Sequence, residues 1–163
     1  MLRNMTSLYI QHQDEVLLLY RIGSRVIEPS WVGIGGHFEP QEVNDPRACV
    51  LRELREETGL TEALLEDLRL RYVSLRHNGA ELRQNFYFFA RLRGEKPSLS
   101  CTEGRLRWVK WELVPSLPMP ITARNCVEHY LRQGRLDTRL YGIMRNTGTE
   151  LPVITPLTLG EES

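Results

Sequence analysis

The chain has 163 residues, which is enough for one domain with a hydrophobic core, and we expect a single domain over residues 1–163. Hydrophobic residues make up 41% of the sequence and charged residues 26%, as in ordinary globular proteins. Because the formal net charge is zero, the composition argues against a surface that binds nucleic-acid polymers, which requires an excess of basic residues.

The cysteines and the N-terminus indicate a cellular compartment. Cys49, Cys101 and Cys126 are far apart and form no CxxC pair, which indicates reduced thiols rather than a disulfide framework or a zinc finger. The apolar stretch near the N-terminus is short and interrupted, so we expect neither a signal peptide nor a membrane span. The sequence therefore predicts a cytoplasmic protein without a membrane partner, and it does not indicate an oligomeric state.

The first half of the chain predicts a hairpin, a short strand and a helix. Two β-like runs at residues 6–11 and 15–21 predict the hairpin, and a polar loop then leads to a strand at 31–36 that ends in glycines. Asp45 and Pro46 predict the start of the helix, because Asp caps a first turn well and Pro suits the first helical position. Its end is predicted at Gly59.

The second half predicts three strands, a helix and a final hairpin. The ranges are strands 68–77, 84–91 and 106–111, a helix at 122–133 with Thr122 as its candidate cap, and a hairpin at about 138–157 around Asn146-Thr147-Gly148. The order ββ–α–βββ–α–ββ predicts an α/β fold in which a mixed sheet lies between helices.

The predicted helix at 46–58 has two chemically different faces. A period of 3.6 residues places Val50, Leu51 and Leu54 on one face, which we expect to pack on the sheet. Three carboxylates share another face, within an arc of about 100°: Glu53, Glu56 and Glu57. An ordinary solvated acidic face is the alternative. Like charges four residues apart, placed near the negative end of the helix dipole, instead favour a bound hard cation such as Mg²⁺.

Residues 35–60, GGHFEPQEVNDPRACVLRELREETGL, resemble the Nudix box. The family's pattern is a glycine, five residues, a glutamate, seven residues and then Arg-Glu-apolar-x-Glu-Glu-x-Gly-apolar. Gly36 and Glu42 match its first part, and residues 52–60 match its second part at every specified position. There is one departure, because nine residues rather than seven separate Glu42 from Arg52. This leaves the position of Glu42 in question.

The resemblance implies a Nudix α/β/α sandwich and a Mg²⁺-dependent hydrolase, with Mn²⁺ as a substitute ion. It implies that Glu56, Glu57 and the Gly36 carbonyl bind the metal. Glu53 is either a further ligand or the base that deprotonates the attacking water, and Glu103, from a distant loop, is its rival as the base. The sequence does not choose between them.

Two further residues have implied supporting roles around the metal. Arg52 is expected to orient the glutamates through charge-assisted hydrogen bonds, as part of the catalytic group. Glu42 is expected to hold that arrangement from the loop before the helix.

The segments that flank the box resemble the MutT-like branch of the family, which includes enzymes for oxidised purine triphosphates. This implies cleavage of a nucleoside triphosphate, such as 8-oxo-dGTP, to a nucleoside monophosphate and pyrophosphate. The candidate substrate-binding residues are Arg21, Arg25, Trp31, His37, Tyr87 and Asn125. For several of them a role in the core or on an exposed loop is the alternative.

The strand predicted at 84–91 contains four consecutive aromatic residues. Alternation places Phe86 and Phe88 on one face and Tyr87 and Phe89 on the other. We expect one pair to fill the core, and the other pair is a candidate lining for a base pocket.

Two other functions stay open at this point. One is a Nudix hydrolase of another nucleoside diphosphate-linked compound, of the ADP-ribose, dinucleoside polyphosphate or coenzyme A type. The other is a catalytically inactive nucleotide-sensing domain. The complete set of box glutamates argues against the inactive domain. The resemblance implies that inactive members of the family usually lack some of these glutamates.

Overall fold

One mixed β-sheet organises the described part of the protein. The structure is a computed structural model that describes residues 1–22, 28–99, 101, 104–145 and 151–158. Within these residues the strands are β1 (Leu2–His12), β2 (Glu15–Arg21), β3 (Ser30–Val32), β4 (Leu65–His77), β5 (Leu82–Leu92), β6 (Gly104–Lys110), β7 (Tyr141–Arg145) and β8 (Val153–Pro156). The α-helices are α1 (Pro46–Thr58) and α2 (Ile121–Arg132).

The sheet has the order β3-β2-β1-β5-β4-β7-β8, and β6 pairs with β2. The pairs β1–β5 and β4–β7 are parallel, and the other neighbouring strands are antiparallel. One apolar layer lies between the sheet and α1, and a second lies between the sheet and α2. The predicted α/β/α sandwich with a mixed sheet is therefore confirmed.

Local sequence signals set the ends of α1. The carboxylate of Asp45 accepts a hydrogen bond from the Ala48 N–H at 3.0 Å, and Pro46 is the first helical residue. Gly59 ends the helix with φ of 75°, and its N–H donates to the Arg55 carbonyl. Val50 and Leu54 are fully buried against the sheet. Burial of each such side chain stabilises the fold by about 2 kcal/mol.

Two differences from the predicted elements concern the starts of β1 and α2. Strand β1 begins at Leu2 because it pairs with β5 from Leu2 onwards, a contact between distant parts of the chain. Helix α2 begins one residue before Thr122, which is not its cap; Pro120 holds that position, and no side chain caps the helix. The turn predicted at 146–148 lies outside the described residues. Among the described residues, no helix is both long and apolar enough to cross a membrane.

Candidate active site

The glycine segment between β3 and α1, which comprises Gly33–Gly36, is hydrogen-bonded to β1. The Thr6 N–H donates to the Gly36 carbonyl at 2.9 Å, and the Leu8 N–H donates to the Ile34 carbonyl. A Cβ atom on Gly35 would lie 2.0 Å from the Thr6 carbonyl oxygen, so no other residue fits there. The backbone of this segment is therefore fixed beside the C-terminal half of α1, which carries the three glutamates.

Glu57 is the most buried carboxylate of the three on α1, with 3% of its surface exposed. It accepts a hydrogen bond from the Gly35 N–H at 2.8 Å, and the Arg21 guanidinium lies 3.4 Å away. Arg21 also donates to the Gly35 carbonyl at 2.9 Å. These contacts join the end of β2, the glycine segment and α1 around one buried negative charge.

Arg52 connects the other carboxylates. Its guanidinium donates to Glu53 at 2.8 Å and to Glu56 at 2.9 Å, and it reaches the His37 carbonyl at 3.0 Å. It also forms two hydrogen bonds to Glu42. These bonds, with that to Glu42 contributing most, raise the pKa of Arg52 above its ordinary value, so the guanidinium is a permanent cation among these three carboxylates.

The structure resolves the position of Glu42. Only 5% of its surface is exposed, and its carboxylate also accepts the Glu39 N–H at 2.9 Å. The hydrogen bond from Arg52 lowers the pKa of Glu42 to about 2, although burial opposes this shift. A 3₁₀ turn at Pro40–Glu42 precedes the capped start of α1, and the two extra residues lie between them. The loop therefore accommodates the insertion and still brings Glu42 to Arg52.

Glu53 and Glu56 differ in exposure. The side chain of Glu53 is 13% exposed and that of Glu56 is 56% exposed. The Glu53 carboxylate lies directly against Gly36, where an added Cβ would be 2.6 Å from Oε1. Gly36 therefore provides the space that this carboxylate occupies.

The carboxylates are distributed between two cations. Glu57 faces Gly35 and Arg21, whereas Glu53 and Glu56 contact Arg52. In the part of the chain that the structure describes, no three His, Cys, Asp or Glu side chains come close enough together to form a metal-binding group. The candidate donors, the glutamates of α1 and the Gly36 carbonyl, nevertheless fit a hard divalent cation, because all of them are oxygens and they come from the second half of α1 and the glycine segment beside it.

A cavity of about 380 Å³ opens beside these residues on the α2 side of the sheet. Arg21 and Gly35 line the side that contacts Glu57. Polar residues from four further elements also line it: Ser7 of β1, Ser74 and Arg76 of β4, Arg83 and Asn85 of β5, and Thr122 of α2. The Asn85 amide donates to the Ser7 hydroxyl at 3.2 Å. The volume is that of a small-molecule site.

The sequence did not identify these lining residues, although part of the signal was present. A hairpin around Asn78-Gly79 pairs Arg76 with Arg83, and strand alternation then places Asn85 on the same face as Tyr87. The contribution of β1 carried no local signal, because it depends on parallel pairing with β5.

The predicted substrate contacts lie at different distances from this cavity. Arg21 and Tyr87 line it, and Tyr87 is fully buried within the α2-side core. Both aromatic pairs of β5 belong to the core, since Phe88 packs in the α1-side layer. His37 is exposed and lines a separate small cavity next to Arg3.

Two further candidates are not among the residues that line the main cavity. The Trp31 ring packs on the Tyr20 ring, with centroids 5.0 Å apart, and the backbone N–H of Trp31 donates to the Pro118 carbonyl. Asn125 is buried on α2 and accepts a hydrogen bond from Arg145 at 3.4 Å. Arg25 and Glu103 lie outside the described residues, so their roles stay predictions.

An α/β/α sandwich with a glycine segment and a glutamate-rich helix beside a polar cavity defines the class of this protein. The model of the NUDIX domain matches residues 2–130. The chain belongs to the Nudix family and is a pyrophosphohydrolase.

Solved structures share the fold. The mutator MutT protein of Bacillus halodurans is 24% identical, with a TM-score of 0.65 over 95% of this chain and 97% of that one. The MutT protein of Methanosarcina mazei Go1 is 22% identical, with a TM-score of 0.62 over 82% and 96%. The E. coli dihydroneopterin triphosphate pyrophosphohydrolase is 19% identical, with a TM-score of 0.60 over 80% and 94%.

Proposed function

We propose that this pyrophosphohydrolase cleaves a nucleoside triphosphate to a nucleoside monophosphate and pyrophosphate, with Mg²⁺ as its cofactor and Mn²⁺ as a substitute. One observation carries the proposal: Arg21 and Gly35 line the cavity and also contact the buried Glu57. A nucleotide bound there has its phosphates beside the carboxylates of α1. The name of the E. coli relative, a triphosphate pyrophosphohydrolase, supports a triphosphate substrate.

The proposed metal ligands are Glu53, Glu56 and Glu57 with the Gly36 carbonyl. The Gly36 carbonyl accepts a backbone hydrogen bond from Thr6 at 2.9 Å and only a long contact of 4.0 Å from the Cys49 thiol, and a carbonyl oxygen has two lone pairs. When bound, a divalent ion at such a site neutralises phosphate oxygens and lowers the pKa of the attacking water.

The protein's own side chains have three tasks in this proposal. Arg21 binds phosphate oxygens at the side of the cavity nearest α1. Arg52 holds Glu53 in position through a charge-assisted hydrogen bond. Glu53 or Glu103 accepts the proton of the attacking water, and these two remain alternatives.

The base is proposed to lie over the polar floor of the cavity. The Ser7 hydroxyl and the Asn85 amide can both donate and accept hydrogen bonds, as the edge of a purine requires. An oxidised purine triphosphate such as 8-oxo-dGTP is therefore included among the candidate substrates.

The experiment is a product analysis with purified protein, Mg²⁺ and a nucleotide panel. The panel contains dGTP, 8-oxo-dGTP, ADP-ribose, a dinucleoside tetraphosphate and coenzyme A, and products are separated by ion-exchange chromatography. We expect a triphosphate to give monophosphate and pyrophosphate. Turnover of ADP-ribose or coenzyme A alone would favour the other Nudix substrate classes.

A matched pair of variants tests the metal site. Glu56→Gln should reduce turnover at least about 100-fold with an unchanged melting temperature, because the side chain is exposed. Glu62→Gln is the control, since Glu62 is also exposed and pairs with Arg47 away from the cavity. Full turnover by Glu56→Gln would refute its role as a ligand.

A further inference from the structure

Four arginines form a row across four neighbouring strands. Strand register pairs Arg3 of β1 with Arg83 of β5, Arg83 with Arg76 of β4, and Arg76 with Arg145 of β7. Directly paired residues on neighbouring strands project from the same face of a sheet. With strands about 4.8 Å apart, this arginine row is about 14 Å long.

The arginine row faces the cavity that contains the proposed substrate. Arg76 and Arg83, its two central members, line the cavity. At one end, Arg145 donates to Asn125 of α2, which shows that this face is the α2 side. At the other end, Arg3 lies next to the small cavity near His37.

Like charges opposite one another in a sheet are destabilising, so the row has an energetic cost. Glu81 compensates part of it, with ion pairs to Arg3 at 2.7 Å and to Arg83 at 3.0 Å. Arg76 forms no ion pair with any described residue, and Glu28, which also lines the cavity, is in no ion pair with the row. In a chain of zero net charge, the row is a local concentration of positive charge.

The row is separate from the cations beside the glutamates. Arg21 lies on β2, and Arg76 lies on β4, three strands further along the sheet. This separation corresponds to about 14 Å between the strands. A phosphate held near Arg21 and Glu57 therefore leaves Arg76 and Arg83 for a second anionic group.

We propose that the arginine row binds a second phosphate of the substrate, carried by the ribose and remote from the anhydride that is cleaved. The preferred substrates are then nucleotides phosphorylated at the 2′ or 3′ position as well as at the 5′ position. Guanidinium groups suit this task, because they bind phosphate through paired, charge-assisted hydrogen bonds. The inference rests on the proposed function only in placing a nucleotide in the cavity.

The test is calorimetric binding of three product-like ligands, none of which must be hydrolysed. They are adenosine 5′-monophosphate, adenosine 2′,5′-bisphosphate and adenosine 3′,5′-bisphosphate. We expect the full-length protein to bind one bisphosphate at least about tenfold more tightly than the monophosphate. Arg76→Gln should reduce this advantage to less than about threefold, with a melting temperature no lower than that of the unmodified protein, because the substitution relieves like-charge repulsion in the row.

Arg107→Gln is the matched control. Arg107 is an exposed arginine of β6 that does not line the cavity, so the advantage of the bisphosphate should persist in this variant. Equal binding of all three ligands, no binding of any, or a full advantage in Arg76→Gln would overturn the inference. Because binding needs no turnover, a failure of the nucleotide panel is distinguishable from a failure here.

Discussion

Arg52 binds the Glu42 carboxylate through two hydrogen bonds, from Nε to Oε1 at 2.7 Å and from Nη2 to Oε2 at 3.0 Å. This geometry is found although two more residues separate them than the family pattern specifies. The extra residues lie in the turn before α1, and they leave the spacing of the helical glutamates unchanged. The pair therefore links the loop to the centre of the carboxylate network.

The first prediction concerns the pH dependence of stability. The pKa of Glu42 is about 2 in the folded protein and about 4.3 in an unfolded chain. The stabilisation of the folded state by the ionised Glu42 is fully present above about pH 4.3 and is lost as the pH falls through about 2. Glu42→Gln should lower the free energy of unfolding by on the order of 2 kcal/mol at pH 7, and by about half of that at pH 3. Urea unfolding at the two pH values measures this.

Glu62→Gln is the control for that series, because Glu62 is an exposed carboxylate outside the network. It should change stability by less than about 0.5 kcal/mol at either pH. A Glu42→Gln effect of the same size at pH 7 and pH 3 would contradict the assignment of the low pKa to this carboxylate.

The second prediction compares two adjacent glycines. The three atoms nearest to a Cβ on Gly36 all belong to the side-chain end of Glu53, which can shift more readily than backbone, so Gly36→Ala should preserve the fold but displace that carboxylate. We expect kcat to fall at least about tenfold with a small change in melting temperature. On Gly35 the Cβ meets the Thr6 backbone, so Gly35→Ala should be severely destabilised. Similar melting temperatures for the two variants would contradict the difference between a side-chain contact at Gly36 and a backbone contact at Gly35.

The third prediction separates two glutamates with the same proposed role. Glu57 is buried and accepts the Gly35 N–H, so Glu57→Gln should lose roughly 1–3 kcal/mol of stability. Glu56 is exposed, so Glu56→Gln should stay within about 0.5 kcal/mol of the unmodified protein. Both should lose turnover. Differential scanning calorimetry and steady-state kinetics measure the two effects, and an unaltered stability of Glu57→Gln counts against the buried contact.

The fourth prediction concerns recognition of the base. Asn85 lines the cavity, so Asn85→Ala should raise KM and change the ratio of kcat/KM between purine and pyrimidine triphosphates by about tenfold. Asn125 does not line it, so Asn125→Ala should lower the melting temperature and leave this ratio unchanged. If the Asn125 variant alone changed the ratio, the base would lie elsewhere than over Asn85.

The sequence by itself determined the glutamate-bearing helix and the family. The cap at Asp45, the proline at the first helical position and Gly59 at the end are local signals, and each acts within one turn of the helix. Helical periodicity then fixes which of its residues share a face. For this reason the apolar face and the spacing of the glutamates could be read without any knowledge of the rest of the chain.

Only the tertiary structure decided how these side chains divide their contacts. It placed Glu57 against Gly35 and Glu42 against Arg52, and it put Asn85, rather than Asn125, in the lining of the cavity. The arginine row likewise exists only through the pairing of strands that are far apart in the chain. The physical reason is that strand register and loop closure depend on contacts between distant residues, which local periodicity does not encode.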